Sequence, residues 1–477
     1  MPDAGGQAPV LTPDLCVIGA GSGGLSLAAG AVQMGASVVL VEAGRMGGDC
    51  LNYGCVPSKA LLAAAKRAEQ ARRGGLGVAP AEPQIDYAGA MAHVQAAIDA
   101  IAPHDSQERF ERLGCTVIRA AGRFVSPREV EAGGQRIRAR RFVVATGSGP
   151  FVPPIPGLAE TPHLTNETLW ELRERPGHLA ILGGGPIGME MAQAHVRLGC
   201  RVTVIEAATP LGGHDPELAA VALDRLRAEG VEIVAGKAER VSGAPGAVTL
   251  HLEGGGEVSA SHLLVATGRR PNLERLDLAA GEVEHTPRGV TVDKGLRSTS
   301  NSRVYAIGDA AGGLQFTHVA SYHAGLVVRS ALFRLPVRAK DDHLPKVTFT
   351  DPEIAEVGLT EAGAATRGET VEIHRAPFSG NDRAIAEGET EGLVKLIASP
   401  KGRILGAGIA GPHAGELIQI WSLALSKGLR VKDISGHVAA YPTLGESAKQ
   451  AAGAYFRPRL FESPMVKRVV RLLAHLG

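Results

Sequence analysis

The sequence is poor in aromatic side chains, which make up 4% of its 477 residues and include only two tryptophans. Surfaces that stack nucleic-acid bases are therefore not expected. A charge excess is also missing, since 50 Lys and Arg stand against 49 Asp and Glu for a net of +1. A dedicated nucleic-acid binder carries a basic surplus, so that class is set aside. Cysteine is sparse, with Cys16, Cys50, Cys55, Cys115 and Cys200 the five present. An odd and low number does not make a secreted disulfide scaffold. The N-terminal stretch MPDAGGQAPVLTPD has neither a basic cluster nor an apolar core, so no secretory signal is expected and the reading is a cytoplasmic protein. One uncharged run, Leu15 to Val41, covers 27 residues, enough to span a bilayer. Six glycines break it into strand, turn, helix and strand patterns.

Glycine is abundant, at 62 residues, and its placement is informative. Leu15-Cys-Val-Ile reads as a buried parallel strand and runs directly into Gly19-Ala-Gly-Ser-Gly-Gly24. An alanine-rich helical segment and a second apolar run ending at Glu42 follow. The same arrangement returns as Leu179-Ala-Ile-Leu182, Gly183-Gly-Gly-Pro-Ile-Gly188, a helix, and a strand ending at Glu206. In each copy the first glycine (Gly19, Gly183) permits a tight turn. The second (Gly21, Gly185) lets the backbone approach a pyrophosphate, and the third (Gly24, Gly188) lets helix and strand pack closely. The helix start offers unpaired N–H groups to phosphate. Glu42 and Glu206 stand where a carboxylate accepts from ribose hydroxyls. A 2′-phosphate would meet Glu206 with no arginine close behind it, so NADH is favoured over NADPH. Two nucleotide folds in one chain suggest a flavin dinucleotide exchanging electrons with a nicotinamide dinucleotide.

Cys50 and Cys55 sit in Gly47-Gly-Asp-Cys-Leu-Asn-Tyr-Gly-Cys-Val-Pro-Ser-Lys59, at the entry of a helix expected over 56–73. The helix-start field and Lys59 favour thiolate over thiol. A thiolate pair downstream of a nucleotide loop suits electron exchange with a disulfide. The bland alternative is two inert buried thiols. A zinc site lacks further ligands nearby, and no metal is expected.

With these residues in view, GGDCLNYGCVPSK resembles the redox-active motif of the pyridine nucleotide–disulfide oxidoreductases, the family of dihydrolipoamide dehydrogenase, glutathione reductase and mercuric ion reductase. TSNSRVYAIGD, ending at Asp309, is similar to the family's second flavin motif. ATGRRPN, ending at Asn272, and VTFTDPEIAEVGLTE, from Val347, resemble its ATGRxPN turn and the start of its interface domain. The resemblance implies an α/β fold in which two doubly wound dinucleotide-binding domains, for FAD and NAD(P), precede an α+β dimerisation domain. The expected bounds are 1–155 and 273–344 for FAD, 156–272 for NAD(P), 345–457 for the homodimer interface and 458–477 for a basic amphipathic helix. It implies electron flow from NADH through FAD to a Cys50–Cys55 disulfide. Cys55 would be the sulfur next to the flavin, Cys50 would attack the acceptor, and Lys59 would pair with Glu190. Thr146, Gly147, Gly268, Gly308, Asp309, His318 and Ala320 would complete the cofactor sites, although a structural role for His318 stays open. The acceptor would be a small-molecule or protein disulfide, or another thiol-reactive species.

One motif departs from the family. Its disulfide reductases place a catalytic His, acting across the dimer, where this chain has Tyr441-Pro-Thr-Leu-Gly-Glu446. A phenol is a poor base near pH 7, so Tyr441 and Glu446 are candidate catalytic residues of altered chemistry. His437 lies upstream, where a packing role is favoured. Dihydrolipoamide dehydrogenase, mercuric ion reductase and a low-turnover redox sensor are the alternative functions. Mercuric reductases carry a C-terminal cysteine pair, and no cysteine follows Cys200 here. Beyond the interface domain, Ser463 and Pro464 start a helix whose Val466, Val469, Val470, Leu473 and Leu476 share one face opposite Lys467, Arg468 and Arg471. Packing on the chain's own dimer and docking on a membrane or partner are both open.

Overall fold

The computed structural model describes residues 9–475. Leu15–Ile18 is fully buried and sits between two parallel neighbours, Val38–Val41 and Arg141–Val144. An apolar run without alternation is what a strand covered on both faces requires. Thr116–Ile118 extends the sheet on one side and Val304–Ala306 on the other. The chain therefore leaves this sheet after Val144 and returns to it more than a hundred residues later. The helix Ser22–Gln33 packs against the helix Thr317–Phe333. The seam is close because Gly23 leaves room for Ala320, which would lie 3.1 Å from an added Cβ.

A second parallel sheet has the order Glu232–Ala235, Arg201–Glu206, His178–Leu182, His262–Val265. Each parallel sheet is accompanied by a three-stranded antiparallel one, over Gly122–Ile137 and Ala238–Ala260. The two crossings between the sheets are clipped together by the antiparallel pair Ser148–Pro150 and Arg269–Pro271.

The C-terminal sheet is antiparallel, in the order Lys346–Thr348, Glu353–Gly358, Ile404–Gly411, Leu393–Ala398, Glu372–Pro377. Helices Gln419–Lys427 and Glu446–Leu460 pack on it around the buried Trp421. Two ion networks tie it to the second parallel sheet. Arg197, 2% exposed, binds Glu229 at 2.6 Å and Asp351 at 2.9 Å. Lys395 reaches Asp215 at 2.8 Å and Glu361 at 2.6 Å. Removing one member would strand a buried charge, which typically costs about 3–5 kcal/mol.

Among the described residues no helix is long and apolar enough to cross a membrane, and the uncharged run 15–41 is strand, helix and strand. The helix expected over 56–73 begins at Cys55 itself, spanning Cys55–Arg73. The last helix is Pro464–Ala474, capped by the Ser463 hydroxyl, which accepts from the Val466 N–H. Leu476 lies outside the described residues.

Candidate active site

The two glycine turns have matching geometry, and each glycine has a different reason to be there. Gly19 has φ +111° and a side chain on it would meet the Ala145 carbonyl at 2.3 Å, while one on Gly24 would meet the Gly19 carbonyl at 1.8 Å. Gly183, at φ +112°, and Gly188 repeat this against the Ala266 and Gly183 carbonyls at 2.4 and 2.0 Å. The middle glycines differ. A Cβ on Gly21 has no neighbour nearer than 3.8 Å and one on Gly185 none within 4 Å. The first and third positions are filled by the protein, and the second faces space. Glu42 and Glu206 also buttress their own turns. Glu42 accepts from the Ala20 and Gly44 N–H groups, both at 2.5 Å, and Glu206 from Gly184 at 2.6 Å and Ala208 at 2.7 Å. Sequence reading assigned these carboxylates to ribose alone and missed that task.

Gly21 opens onto a cavity of about 770 Å³ whose wall includes Cys50, Cys55, Gly147, Asp309 and Thr317. Asp309 accepts from the Ser148 hydroxyl at 2.5 Å, and burial raises its carboxyl pKa. Arg269 donates to the Ser148 hydroxyl at 2.8 Å and pairs with Asp49 at 3.0 Å. Asn166 donates to the other Asp49 oxygen at 3.0 Å. This network links the cysteine loop to the motif around Asp309. None of its members except Asp309 was singled out from sequence, because the link is tertiary. The neighbouring Thr146 Oγ1 is buried without a hydrogen-bond partner, and Gly147, at φ +64°, has nothing within 4 Å of a Cβ. An orphaned hydroxyl, an open glycine cradle and a cavity of this size fit FAD.

The dithiol forms part of the cavity wall. Cys50 belongs to the short helix Gly48–Asn52 and Cys55 is the first residue of Cys55–Arg73. Both are free thiols in this structure. Cys55 is exposed on the wall, with Sγ 3.3 Å from Thr317 Oγ1. Its pKa falls to about 6. The main cause is a hydrogen bond from the Cys50 thiol, followed by Thr317 and then the Lys59 charge, all working against desolvation. Cys50 shifts the other way, chiefly because it gives its proton to that bond. Asp49 disfavours thiolate at both. Lys59 Nζ lies 2.7 Å from Glu190 Oε2 and 4.2 Å from the Phe349 ring centroid. The other Glu190 oxygen accepts from the Phe349 N–H at 2.9 Å. Thr317 lies in the turn Phe316–Ala320 that the resemblance puts against the flavin, and Phe349 in the motif that starts at Val347, but neither was assigned a contact with the dithiol or its lysine, because those contacts are tertiary.

The remaining expected residues divide. His318 and Ala320 line the cavity. The His318 Nε2–H donates to the Pro345 carbonyl at 2.8 Å and its ring stacks on Phe316, while burial lowers its pKa. Gly308, at φ +58°, abuts Ala320, 2.8 Å from an added Cβ, whereas Gly268, at φ +141°, faces space. Within one chain Tyr441 and Glu446 are not on the cysteine cavity. Tyr441 is 71% exposed and its hydroxyl donates to Asp382 at 3.0 Å, which raises its pKa. Glu446 opens the helix Glu446–Leu460. The His437 Nδ1–H donates to the Ile434 carbonyl at 2.7 Å, a helix-end contact. Among the described residues no group of three or more His, Cys, Asp or Glu could hold a metal ion.

Comparison with known proteins bears on this geometry. The family described as pyridine nucleotide-disulphide oxidoreductase matches residues 13–324, and its dimerisation domain matches 344–452. A mercuric reductase of Bacillus cereus is 36% identical over 445 residues, covering 92% of this chain and 70% of the relative. A dihydrolipoyl dehydrogenase of Geobacillus stearothermophilus is 35% identical over 91% of this chain and 94% of its own. Among solved structures, the HOCl-induced flavoprotein disulfide reductase RclA of Escherichia coli superposes with a TM-score of 0.83 at 29% identity, covering 92% of this chain and 99% of that one.

Proposed function

The chain belongs to the pyridine nucleotide-disulphide oxidoreductases, an FAD-dependent family driven by NADH or NADPH, and from that premise we propose that Cys50 and Cys55 are its redox pair. Bound FAD supplies the means to take a hydride from the nicotinamide and release the electrons as a pair. Gly19, Gly21, Gly24, Glu42, Thr146, Gly147 and Asp309 hold it. Gly183, Gly185, Gly188 and Glu206 hold the nicotinamide dinucleotide, with NADH preferred because Glu206 repels a 2′-phosphate.

The single observation that carries the reading is the placement of the dithiol, with Cys50 and Cys55 on the wall of the same cavity as Gly21, Gly147 and Asp309 and with Cys55 Sγ 3.3 Å from Thr317 Oγ1. The surrounding groups favour thiolate at Cys55 and thiol at Cys50. The hydride of NADH supplies two electrons and one proton, which break the Cys50–Cys55 bond and leave one thiol and one thiolate, releasing NAD⁺ with no further proton taken up. Cys50 then gives up its proton and attacks an acceptor disulfide, expelling one thiolate and forming a mixed disulfide. Cys55 attacks the Cys50 sulfur and expels the second thiolate. Lys59, held by Glu190 and resting on Phe349, stabilises the charge on Cys55 throughout. Tyr441, kept protonated by Asp382, serves as a proton donor rather than a base, and it acts from the second subunit of a homodimer. That dimer forms through the domain at 344–452. The acceptor is a disulfide or another thiol-reactive electrophile. A second reading, soft-metal reduction, is favoured by the relatives named mercuric reductase.

Thiol labelling tests the pair directly. Oxidised holoprotein, alkylated under native conditions with and without NADH, is digested and mapped by mass spectrometry. NADH should make Cys50 and Cys55 newly alkylatable, and Cys55→Ser should leave no NADH-dependent thiol. Labelling that is independent of NADH, or that maps to other cysteines, would overturn the assignment.

A further inference from the structure

The final helix has no place in the electron path. Pro464–Ala474 contains no buried residue. Met465 is 73% exposed, Leu472 63%, Val470 59% and Leu473 58%. In a helix these positions, with Val466 and Val469, fall on one side, and Lys467, Arg468 and Arg471 fall on the other. Met465 and Leu472 thus widen the stripe read from sequence. Eleven residues rise about 16 Å, roughly half of what a bilayer core requires, so the helix is too short to cross and can only lie flat. Its charge is one-sided, because no acidic residue occurs between Ser463 and His475. The carboxylate before it, Glu462, lies 3.6 Å from Arg457.

We propose that this helix seats the protein on an anionic phospholipid surface, with its apolar face among the acyl chains and its three cations against the headgroups. A monotopic helix needs strong amphipathicity, low overall hydrophobicity and a basic polar face, and this segment has all three. Lysine and arginine stems are long enough to carry their charges up to the headgroup level. A second copy of this helix is the poorer occupant, since it would bring the same three cations and, between Ser463 and His475, no carboxylate to pair them. The inference is independent of the redox reading. It would place the enzyme beside acceptors that partition into membranes.

The test uses the flavin-loaded full chain and sedimented vesicles of phosphatidylglycerol or of phosphatidylcholine. At about a tenfold gain per cation or somewhat less, three cations give a preference for the anionic vesicles on the order of 100-fold, and raised salt should weaken it. Lys467→Gln/Arg468→Gln/Arg471→Gln should abolish the preference, and Val470→Asp should abolish binding. Neither should change NADH-dependent thiol exposure in solution. Equal binding to both lipids, or anionic binding that survives the triple substitution, would overturn the proposal. So would absence of vesicle binding together with a lower oligomeric state of Val470→Asp, which would assign the face to a second copy.

Discussion

Replacing Cys50 with alanine perturbs the site most informatively. The thiol of Cys50 is the largest single reason that Cys55 ionises early, ahead of Thr317 and Lys59. With a pKa of about 6, about 90% of Cys55 is thiolate at pH 7. A thiol at its ordinary value near 8.5 would be only about 3% ionised. Cys55→thiolate conversion is therefore complete above neutrality and is lost as pH falls through 6. In Cys50→Ala the hydrogen bond is gone while desolvation, which opposes ionisation, remains. The midpoint should climb by more than one unit toward 8.5, and alkylation at pH 7 should slow several-fold, by up to about 30-fold. The assay is the pH profile of iodoacetamide labelling of the Cys55 peptide in reduced protein, which needs no turnover. Cys50→Ser retains a hydroxyl donor and should keep most of the depression. Thr317→Val and Lys59→Met should each raise the midpoint less than Cys50→Ala does, Thr317→Val by more than Lys59→Met. A Cys50→Ala midpoint that stays near 6, with Lys59→Met taking up the shift, would refute the reasoning and give the effect to the helix start and its lysine.

Glu206→Ala removes the acceptor of the Gly184 and Ala208 N–H groups together with the charge facing a 2′-phosphate. The KM for NADH should rise about tenfold and the NADH/NADPH ratio of kcat/KM should fall, and an unchanged ratio would remove Glu206 from cofactor choice. Tyr441→His replaces a phenol kept protonated beside Asp382 with a group that titrates near neutrality. Turnover of dihydrolipoamide with NAD⁺ should rise, with a ceiling of about 10²–10⁴-fold from general-base catalysis. No gain would mean that the acceptor pocket, rather than the base, excludes that substrate.

Much of the site was legible because its demands are local. The close approaches that require Gly19 and Gly24 occur inside one turn and its neighbouring strand, so spacing alone announces them. The same holds for Cys55 at a helix start, because a glycine and a proline frame it. The start differed by one residue, since Gly54 takes the cap position and Cys55 enters the helix itself. What sequence did not reveal is what long-range packing creates. Thr317 reaches Cys55 across 262 residues of chain. Arg269 reaches Asp49 from the second nucleotide sheet's exit. The Phe349 ring and N–H converge on Lys59 and Glu190. None of these residues belongs to a pattern with a period, and ordinary residues acquire such roles only when the sheets are clipped together. The apolar stripe of Pro464–Ala474 was legible for the opposite reason, since helical periodicity needs no tertiary partner to be read.

The asymmetry of the dithiol, set first by the hydrogen bond from Cys50 to Cys55, is reinforced by backbone placement. Identical side chains were put on different helices, and only Cys55 begins a long one. A long helix start favours an anion, whereas Cys50 sits beside the carboxylate of Asp49, which works against ionisation. Asp49 is in turn neutralised by Arg269, which also holds Ser148 and through it Asp309. The charge felt by the sulfurs is thus coupled to the polar groups that cradle the flavin. Any event that draws Arg269 away from Asp49 would expose both sulfurs to a fuller negative charge and make both harder to ionise. Lys59 cannot compensate alone, because its ammonium is shared with Glu190. Electron entry at Cys55 and exchange at Cys50 therefore share one electrostatic frame, and the unequal pair stays unequal only while that frame is closed.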